Sequence, residues 1–262
     1  MPTRRRLDAE LVRRGLVTSR TEAQRLITVG GVTVAGRPSA RAATLVAPDD
    51  PIVLATETQW ASRAGEKLAA GLAALGIDPS GRTALDVGAS TGGFTDVLLA
   101  AGATRVTAVD VGYGQMVWRL RTDPRVDVHD RTNFRTVDVA SLGGPFDVVV
   151  VDVSFISVTL LAANLTRAGH PDTDYVVLVK PQFEVGRGQV GKGGVIRDPI
   201  KHRRVLSRVV EFAIGSGLSV LGLTASPLRG PKGNREFFVH LSRRGESVQG
   251  LEEQISDVVN AG

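Results

Sequence analysis

Apolar residues along most of the chain alternate between short runs typical of strands and longer stretches at helical spacing. From residue 64 onward, the short runs predict seven strands, near residues 83–87, 105–109, 126–128, 147–151, 175–179, 218–224 and 236–241. Helical spacing predicts a helix over 65–76 and further helices in most of the gaps between the strands. Strands that alternate with helices are typical of a doubly wound, mostly parallel sheet. The last two strands are only about a dozen residues apart, too few for a crossover helix, so we expect them to pair antiparallel.

The first part of the chain has a different pattern, which predicts a small α+β domain. Apolar residues at helical spacing predict helices over 7–16 and 21–30, and the pair Gly30-Gly31 ends the second one. A β-hairpin around Gly36 and a strand over 51–55 follow. This part is therefore expected to fold separately from the doubly wound sheet.

Charge is distributed unevenly between these two parts. The 262-residue chain carries a formal net charge of +5. Residues 1–41 hold nine arginines against three acidic residues, whereas the rest of the chain holds 23 basic and 24 acidic residues. This concentration of positive charge indicates a polyanionic partner for the N-terminal part. We predict an N-terminal domain at 1–57, an interdomain linker at 58–63 and a second domain at 64–262.

The composition excludes several classes of function. The chain has no cysteine, which rules out disulfides, thiolate metal sites and a cysteine nucleophile. No run of about 18 uncharged apolar residues is present. The basic N-terminus is not followed by the apolar segment of a signal peptide. We therefore expect a cytoplasmic protein with no membrane partner and no metal.

The segment 84–110 is the clearest candidate for a binding site. A predicted strand leads into a turn that contains Gly88, Gly92 and Gly93, a helix follows, and a second strand ends at Asp110. This is a βαβ unit of the nucleotide-binding type, in which glycines let the backbone approach a ligand closely. A carboxylate about 20 residues after the first glycine is expected to hold ribose hydroxyls.

Two features of this turn favour S-adenosylmethionine (SAM) over a dinucleotide. Ser90 stands where the dinucleotide motif has the glycine that makes room for pyrophosphate. The preceding strand ends near Asp86, an acid that disfavours a phosphate and suits a cationic ligand. The expected fold is thus a Rossmann-like class I SAM-dependent methyltransferase, whose final strand inserts antiparallel. A glycine turn in another α/β enzyme is the alternative, because a glycine motif alone is weak evidence.

Four ionisable residues are expected to converge at the carboxyl edge of the sheet, where such folds bind their ligands. Asp152 and Lys180 each follow a predicted parallel strand, Glu236 begins the antiparallel strand, and Lys67 lies on the helix before the first strand. This set suits removal of a proton from a poor acid such as a ribose hydroxyl. Lys180 is the candidate base; Lys67 and partial burial favour its neutral form, and the two carboxylates orient the amines. For each residue alone, a surface salt bridge is the structural alternative.

The sequence also narrows the atom that is methylated. The covalent route to C5 of a pyrimidine base uses a cysteine, which this chain lacks. Asp152 is followed by Val-Ser-Phe rather than by the Pro-Pro-aromatic segment that holds an exocyclic amine. Both observations disfavour base methylation and leave the ribose oxygen as the expected target.

Most of residues 4–55 resemble an S4 RNA-binding domain. The matching segments are Arg6-Leu-Asp8, Leu11-Val-x-Arg-Gly-Leu16, Ser19-Arg20, Ala23-x-x-Leu-Ile27 and Gly31-Val-x-Val-x-Gly36. The candidate phosphate contacts are Arg4, Arg6, Arg20 and Arg41. Such contacts give affinity and orientation but no sequence choice. A solvated basic helical hairpin without a nucleic-acid role is the alternative.

Nearly the whole chain resembles the TlyA family, S4-domain ribosomal RNA 2′-O-methyltransferases with an FtsJ-like catalytic domain. The matching segments of the second domain are Ser62-Arg63-x-x-x-Lys67-Leu68, Leu85-Asp-x-Gly-Ala-Ser-Thr-Gly-Gly-Phe94-Thr95, Asp110-Val-Gly-Tyr-Gly-Gln115, Arg131-Thr-Asn133, Asp152-x-Ser-Phe-Ile-Ser157, Val179-Lys-Pro-Gln-Phe-Glu-Val185 and Gly233-Asn-x-Glu236. The resemblance implies that Lys67, Asp152, Lys180 and Glu236 are the family's catalytic tetrad. The SAM-binding residues expected from the glycine turn and this resemblance are Asp86, Gly88, Ala89, Ser90, Gly92, Gly93, Phe94, Asp110, Val111 and Asn133.

The resemblance further implies an RNA-binding surface near the tetrad. Its expected members are Arg63, Arg131, Arg135 and Arg187, and we expect Phe155 to support a flipped target base by stacking. The segment 186–194 holds five glycines. We expect it to be a mobile loop that orders over RNA, with a plain surface loop as the alternative.

Members of this family methylate a cytidine 2′-hydroxyl in ribosomal RNA, so the expected partners are ribosomal RNA and ribosomal subunits. The longer members act on both subunits and sensitise cells to capreomycin-like antibiotics. The basic start and a predicted helical tail at 251–260 place this chain with them. The linker segment Thr58-Gln59-Trp60-Ala61 lacks the arginine of well-known members, which puts in doubt any cofactor coupling through the linker.

Three other functions are open at this point. A non-enzymatic RNA-binding or assembly factor would need no tetrad, and the intact tetrad argues against it. An S4-containing pseudouridine synthase would need no SAM site. A membrane-lytic hemolysin, an older label for this family, would need a spanning segment or a hydrophobic amphipathic helix, and neither stands out.

Overall fold

Two units make up the chain, Met1–Arg63 and Ala64–Gly262. The computed structural model describes residues 4–28, 30–39, 41–54, 59–186 and 188–261. Among these residues, no helix has the length and apolar character needed to cross a membrane. The same residues contain no group of three or more His, Asp or Glu side chains placed to hold a metal ion.

The first unit is a small α+β domain. Its elements are β1 (Arg5–Arg6), α1 (Leu7–Arg13), α2 (Arg20–Thr28), β2 (Val32–Val34), β3 (Arg37–Pro38), β4 (Leu45–Val46) and β5 (Ile52–Leu54). Strand β2 lies between β3 and β5 in an antiparallel sheet, and β1 pairs antiparallel with β4. The apolar faces of the two helices pack into one core that includes Leu7, Leu11 and Ile27.

The helix ends in this unit depend on glycines. The predicted helix over 7–16 was too long, because Gly15 adopts a φ of +67° and the Leu16 N–H bonds back to the Leu11 carbonyl at 3.0 Å. This is a Schellman cap, which ends α1 at Arg13. Gly30 and Gly31 end α2 in the same way, as the sequence predicted.

The second unit is the expected doubly wound domain. Its strands are β6 (Thr83–Val87), β7 (Arg105–Val109), β8 (Val126–His129), β9 (Phe146–Val151), β10 (Gly169–Val179), β11 (Ser219–Ala225) and β12 (Phe237–Ser242). Its helices are α3 (Arg63–Leu75), α4 (Gly93–Ala100), α5 (Trp118–Arg121), α6 (Ala162–Ala168), α7 (Pro181–Glu184), α8 (Pro199–Gly215) and α9 (Leu251–Asn260), together with short 3₁₀ turns. All seven predicted strands and the predicted tail helix are confirmed.

The sheet has the order β11-β12-β10-β9-β6-β7-β8. Strand β12 pairs antiparallel with both of its neighbours, and the remaining pairs are parallel. The expected antiparallel insertion of the final strand is therefore confirmed. Strand β10 begins earlier than predicted, at Gly169, and its register against β9 shifts between Gly169 and Asp174. The polar residues and Pro171 before Tyr175 are not typical of a strand, so the sequence pattern did not predict this first part.

The register of the sheet brings four strand ends to one edge. Val87 of β6 and Val177 of β10 both pair with Val151, the last residue of β9, and Val179 pairs with Phe237 at the start of β12. Central positions are valine-rich and buried on both faces. The residues that follow β6, β9 and β10, and the residue that precedes β12, consequently share the carboxyl edge.

Candidate active site

Two ion pairs occupy this carboxyl edge. On α3, the Nζ of Lys67 lies 2.6 Å from Oε2 of Glu236, the residue just before β12. Just after β10, the Nζ of Lys180 lies 2.5 Å from Oδ1 of Asp152, the residue just after β9. All four side chains are nearly buried, with side-chain exposures of 10, 1, 11 and 15% respectively. The sequence analysis expected these four residues at one edge, and the structure places them there as two amine–carboxylate pairs.

The surroundings fix the position of each amine. The Lys180 amine also donates a 2.9 Å hydrogen bond to Oγ of Ser154. Glu236 lies against the backbone at Gly230, where a side-chain carbon would come within 2.4 Å of the carboxylate. Because buried charges are costly unless they are paired, these contacts hold both amines in one arrangement.

The turn between β6 and α4 forms a narrow backbone cradle beside these pairs. Gly88 has a φ of +92°, and a side-chain carbon there would lie 2.6 Å from the Asp152 backbone oxygen. Gly92 has a φ of +94° and is equally crowded by Leu120. Only glycine fits these two positions without displacing its neighbours. Ala89 is buried beside them, and Gly93 and Phe94 begin α4.

Two carboxylates face this cradle from the ends of β6 and β7. Asp110 accepts hydrogen bonds from the backbone N–H groups of Ser90 at 2.8 Å and Gly112 at 2.6 Å. A carboxylate has roughly four lone-pair positions, so Asp110 keeps acceptor capacity for hydroxyl groups. Val111 beside it is 72% exposed, and exposed Asn133 caps the turn at Arg135.

Asp86 is the unusual member of this group. It is fully buried, its Oδ2 accepts a 2.7 Å hydrogen bond from Thr95, and its Oδ1 has no hydrogen-bond partner among the described residues. Burial raises the pKa of Asp86 to about 7, and the bond from Thr95 opposes the rise. An unsatisfied buried carboxylate beside a glycine cradle fits a ligand that brings a donor or a positive charge, as SAM does.

The exposed side of the edge carries Phe155. This side chain is 90% exposed, its backbone has a φ of +66°, and its ring centre lies 5.0 Å from that of Phe183. A bulky residue in the left-handed region is strained, and such strain concentrates at functional sites. Arg131 also has a positive φ, and its guanidinium lies 4.2 Å from the ring centre of Tyr113.

The remaining predicted RNA contacts lie on both units. Arg135 is exposed, Arg63 is the first residue of α3, and Arg187 lies outside the described residues. In the first unit, Arg4 and Arg41 are exposed. Arg6 and Arg20 both bond to Asp8, at 3.0 and 2.8 Å. The guanidinium of Arg6 lowers the pKa of this buried carboxyl well below its usual range.

Sequence reasoning missed three supporting residues: Ser154 and Thr95 at the sheet edge, and Asp8 in the first unit. The first two stand inside the motifs quoted above, as Asp152-x-Ser154 and Phe94-Thr95, so their spacing was available as a signal. The third could not be recognised as a shared partner, because the contact depends on how α1 and α2 pack. Phe94 has a supporting role as well, since it is buried with its ring centre 6.3 Å from that of Phe238.

Comparisons with known proteins establish the family. A family model described as FtsJ-like methyltransferase matches residues 60–243, and an S4 domain model matches residues 5–52. The 16S/23S rRNA (cytidine-2′-O)-methyltransferase TlyA of Mycobacterium tuberculosis is 46% identical to this chain, and the match covers 100% of both chains. The chain belongs to the TlyA family of FtsJ-like methyltransferases.

Two further similar proteins match this chain over different shares of its length. The 23S rRNA (cytidine-2′-O)-methyltransferase TlyA of Campylobacter jejuni is 33% identical over 69% of this chain and 70% of its own length. A solved structure described as a hemolysin from Streptococcus thermophilus superimposes with a TM-score of 0.78 at 37% identity, over 100% of this chain and 96% of that one. The expected fold and the SAM-dependent methyltransferase class are thereby confirmed.

Proposed function

We propose that this chain transfers the methyl group of SAM to the ribose 2′-hydroxyl of a cytidine in ribosomal RNA. The observation that carries the proposal is the pair of buried amine–carboxylate contacts at the sheet edge, beside a glycine cradle that fits SAM. The full-length similarity to an enzyme described as acting on cytidine 2′-oxygens supports the same target.

The four residues then act as follows. SAM, when bound, supplies the electrophilic methyl group. The Nζ of Lys180, in its uncharged form, accepts the proton of the 2′-hydroxyl, and Asp152, 2.5 Å away, stabilises the ammonium that forms. Ser154 orients the amine. Lys67 places a second positive charge beside the hydroxyl, and its partner Glu236 balances this charge, so the pair adds no net charge to the site.

RNA is held by two sets of side chains. The S4 arginines Arg4, Arg6, Arg20 and Arg41 bind backbone phosphates and contribute affinity. In the second set, Arg63, Arg131, Arg135 and Arg187, the last of which lies outside the described residues, bind the RNA around the target, and Phe155 stacks on the flipped base. The high exposure and strained backbone of Phe155 support this role. We propose 1–57, 58–63 and 64–262 as the limits of the S4 domain, the linker and the catalytic domain; residues 55–58, at the first of these boundaries, lie outside the described residues.

We also infer that both ribosomal subunits are substrates, that the protein acts in the cytoplasm, and that its activity confers sensitivity to capreomycin-type antibiotics. The support is the relative described as a 16S/23S enzyme, which matches along the entire chain, whereas the relative described as a 23S enzyme matches over about two thirds. The linker lacks the arginine of well-known members but retains Trp60. We expect this change to leave the chemistry of the tetrad intact.

The experiment is methyl transfer from labelled SAM to separate unmethylated 30S and 50S subunits, followed by mass-spectrometric mapping of the modified nucleoside. We expect 2′-O-methylcytidine in both subunits, with loss of transfer in Lys180→Ala and normal transfer in Arg105→Gln, a surface control. Transfer to 50S alone would correct the subunit assignment. A methyl group on a base, or SAM binding without transfer to either subunit, would contradict the proposal.

A further inference from the structure

A basic cavity lies outside the residues used so far. It has a volume of about 370 Å³ and is lined by residues 195–202, which lead into α8, by the segment 229–235 and by the end of α9. Among the described residues, four that line it are cationic, namely Arg197, Arg229, Lys232 and Arg235, and none that lines it carries a carboxylate side chain. A cavity with this charge selects an anion.

The described residues provide no ion-pair partner for these cations. Within the described parts of the chain, Arg197, Arg229 and Lys232 form no salt bridge. Arg235 donates to the backbone carbonyls of Val258 and Val259 at the end of α9, so it is fixed in place. Burial and the neighbouring charge of Arg229 lower the pKa of Arg235. Like charges that line one cavity are expected to be stabilised by a bound anion.

A buried ring in the cavity wall also lacks a partner. His202 is only 2% exposed and lines the cavity. Its Nε2 donates to the Ile196 carbonyl at 3.2 Å, and its Nδ1 has no hydrogen-bond partner among the described residues. Because Nε2 is the donor, Nδ1 can only accept a hydrogen bond, so a ribose hydroxyl group can satisfy it, whereas a phosphate diester, which has no proton to donate, cannot.

The cavity is connected to the catalytic edge by a short, well-bonded segment. The Gly230 N–H bonds to the Asn234 carbonyl at 2.8 Å, and the buried Asn234 side chain bonds to both Ile196 and Gly194. Glu236 follows two residues later. An anion held by Arg229 and Lys232 would therefore be fixed next to the segment that carries a member of the tetrad.

We propose that this cavity binds a backbone phosphate of the RNA substrate and so anchors the strand beside the catalytic edge. The proposal rests on the proposed function in that it takes RNA as the substrate. The anion chemistry could also come from a small free phosphate. RNA is favoured because the cavity adjoins the edge where the target ribose must enter.

The test measures the affinity of a ribosomal RNA fragment at several salt concentrations, for the unaltered protein and the double variant R229Q/K232Q. Both residues are exposed, so the fold should be retained, and thermal unfolding checks this. We expect the double variant to bind RNA about tenfold more weakly, with the slope of log K against log salt reduced by about 1. The control is Arg105→Gln, at the opposite edge of the sheet, which should leave both values unchanged.

Two results would overturn the proposal. One is unchanged RNA affinity and salt slope in R229Q/K232Q. The other is that inorganic phosphate stabilises the unaltered protein against thermal unfolding but does not stabilise the double variant, while the double variant binds RNA with normal affinity. This result would show that the cavity is a site for a small anion. RNA binding is measured here without methylation, so a chain that binds RNA through this cavity but fails to methylate would refute the proposed function alone.

Discussion

The S4 unit and the catalytic edge both contain carboxylates paired with cations, but the cations are exposed in the S4 unit and nearly buried at the catalytic edge. In the S4 unit, Asp8 is fully buried while its partners Arg6 and Arg20 have side-chain exposures of 49 and 56%. At the catalytic edge, Lys67 and Lys180 have side-chain exposures of only 10 and 11%. The same type of contact therefore presents its positive charge to solvent in one unit and encloses it in the other.

The difference teaches what each set of charges can do. A buried carboxylate that fixes exposed guanidinium groups leaves several N–H donors free for an external polyanion. Such contacts determine affinity and its salt dependence. An enclosed amine is shielded from solvent and is positioned for a single reacting atom, so it determines rate. Substitutions should separate these two roles.

Asp86 sharpens the comparison because it is a buried carboxylate without a cation. Below about pH 4 its carboxyl is neutral in the folded and unfolded chain. Between about pH 4 and the folded pKa of about 7, the carboxyl ionises in the unfolded chain while burial keeps it neutral in the folded chain. Stability contributed by this group is thus lost as pH rises, by on the order of 4 kcal/mol at pH 8.

We expect Asp86→Asn to remove this loss, because an amide keeps the Thr95 hydrogen bond and carries no charge. Urea unfolding of both proteins from pH 5 to pH 8 measures it. As pH rises, the free energy of unfolding of the variant should increase relative to that of the unaltered protein. Parallel pH profiles would show that Asp86 is not buried as an unpaired acid.

Breaking an enclosed pair should cost more stability than breaking an exposed one. Glu236→Gln leaves Lys67 buried without its counter-charge, so we expect a loss of about 3 kcal/mol in the free energy of unfolding. The double variant Lys67→Met/Glu236→Leu, which removes both charges, should recover most of this stability while staying inactive. A loss below 1 kcal/mol for Glu236→Gln would mean that this pair is solvated.

Removing an exposed S4 cation should affect binding and little else. Arg20→Gln leaves Asp8 bonded to Arg6 and Gln24, so we expect less than about 1 kcal/mol of destabilisation. RNA affinity should fall about fivefold, with the salt slope reduced by about 1. Arg13→Gln is the matched control, since Arg13 is equally exposed but pairs with Glu10. Equal effects of both variants would indicate a diffuse basic surface.

Much of the fold could be predicted because its signals are local or follow from general rules of parallel sheets. Runs of valine marked the strands, and the short final connection required an antiparallel β12. Since parallel strands end at one edge, placing Asp152, Lys180 and Glu236 after or before their strands was enough to bring them together.

Other features depend on contacts that no local pattern encodes. The two-residue strands β1 and β4 are too short for a detectable period. The pairing of Arg6 and Arg20 through Asp8 requires the packing of α1 on α2. The basic cavity joins residues from three distant segments, including Arg197 and Arg229, which are unremarkable in the sequence.

Single-turnover methylation at increasing protein concentration tests the division between rate and affinity most directly. For Lys180→Ala, the maximal rate should fall about 1,000-fold while the half-saturating concentration stays normal. For Arg20→Gln, the half-saturating concentration should rise about fivefold while the maximal rate stays normal. A Lys180→Ala protein that methylates RNA at the normal maximal rate would contradict the account.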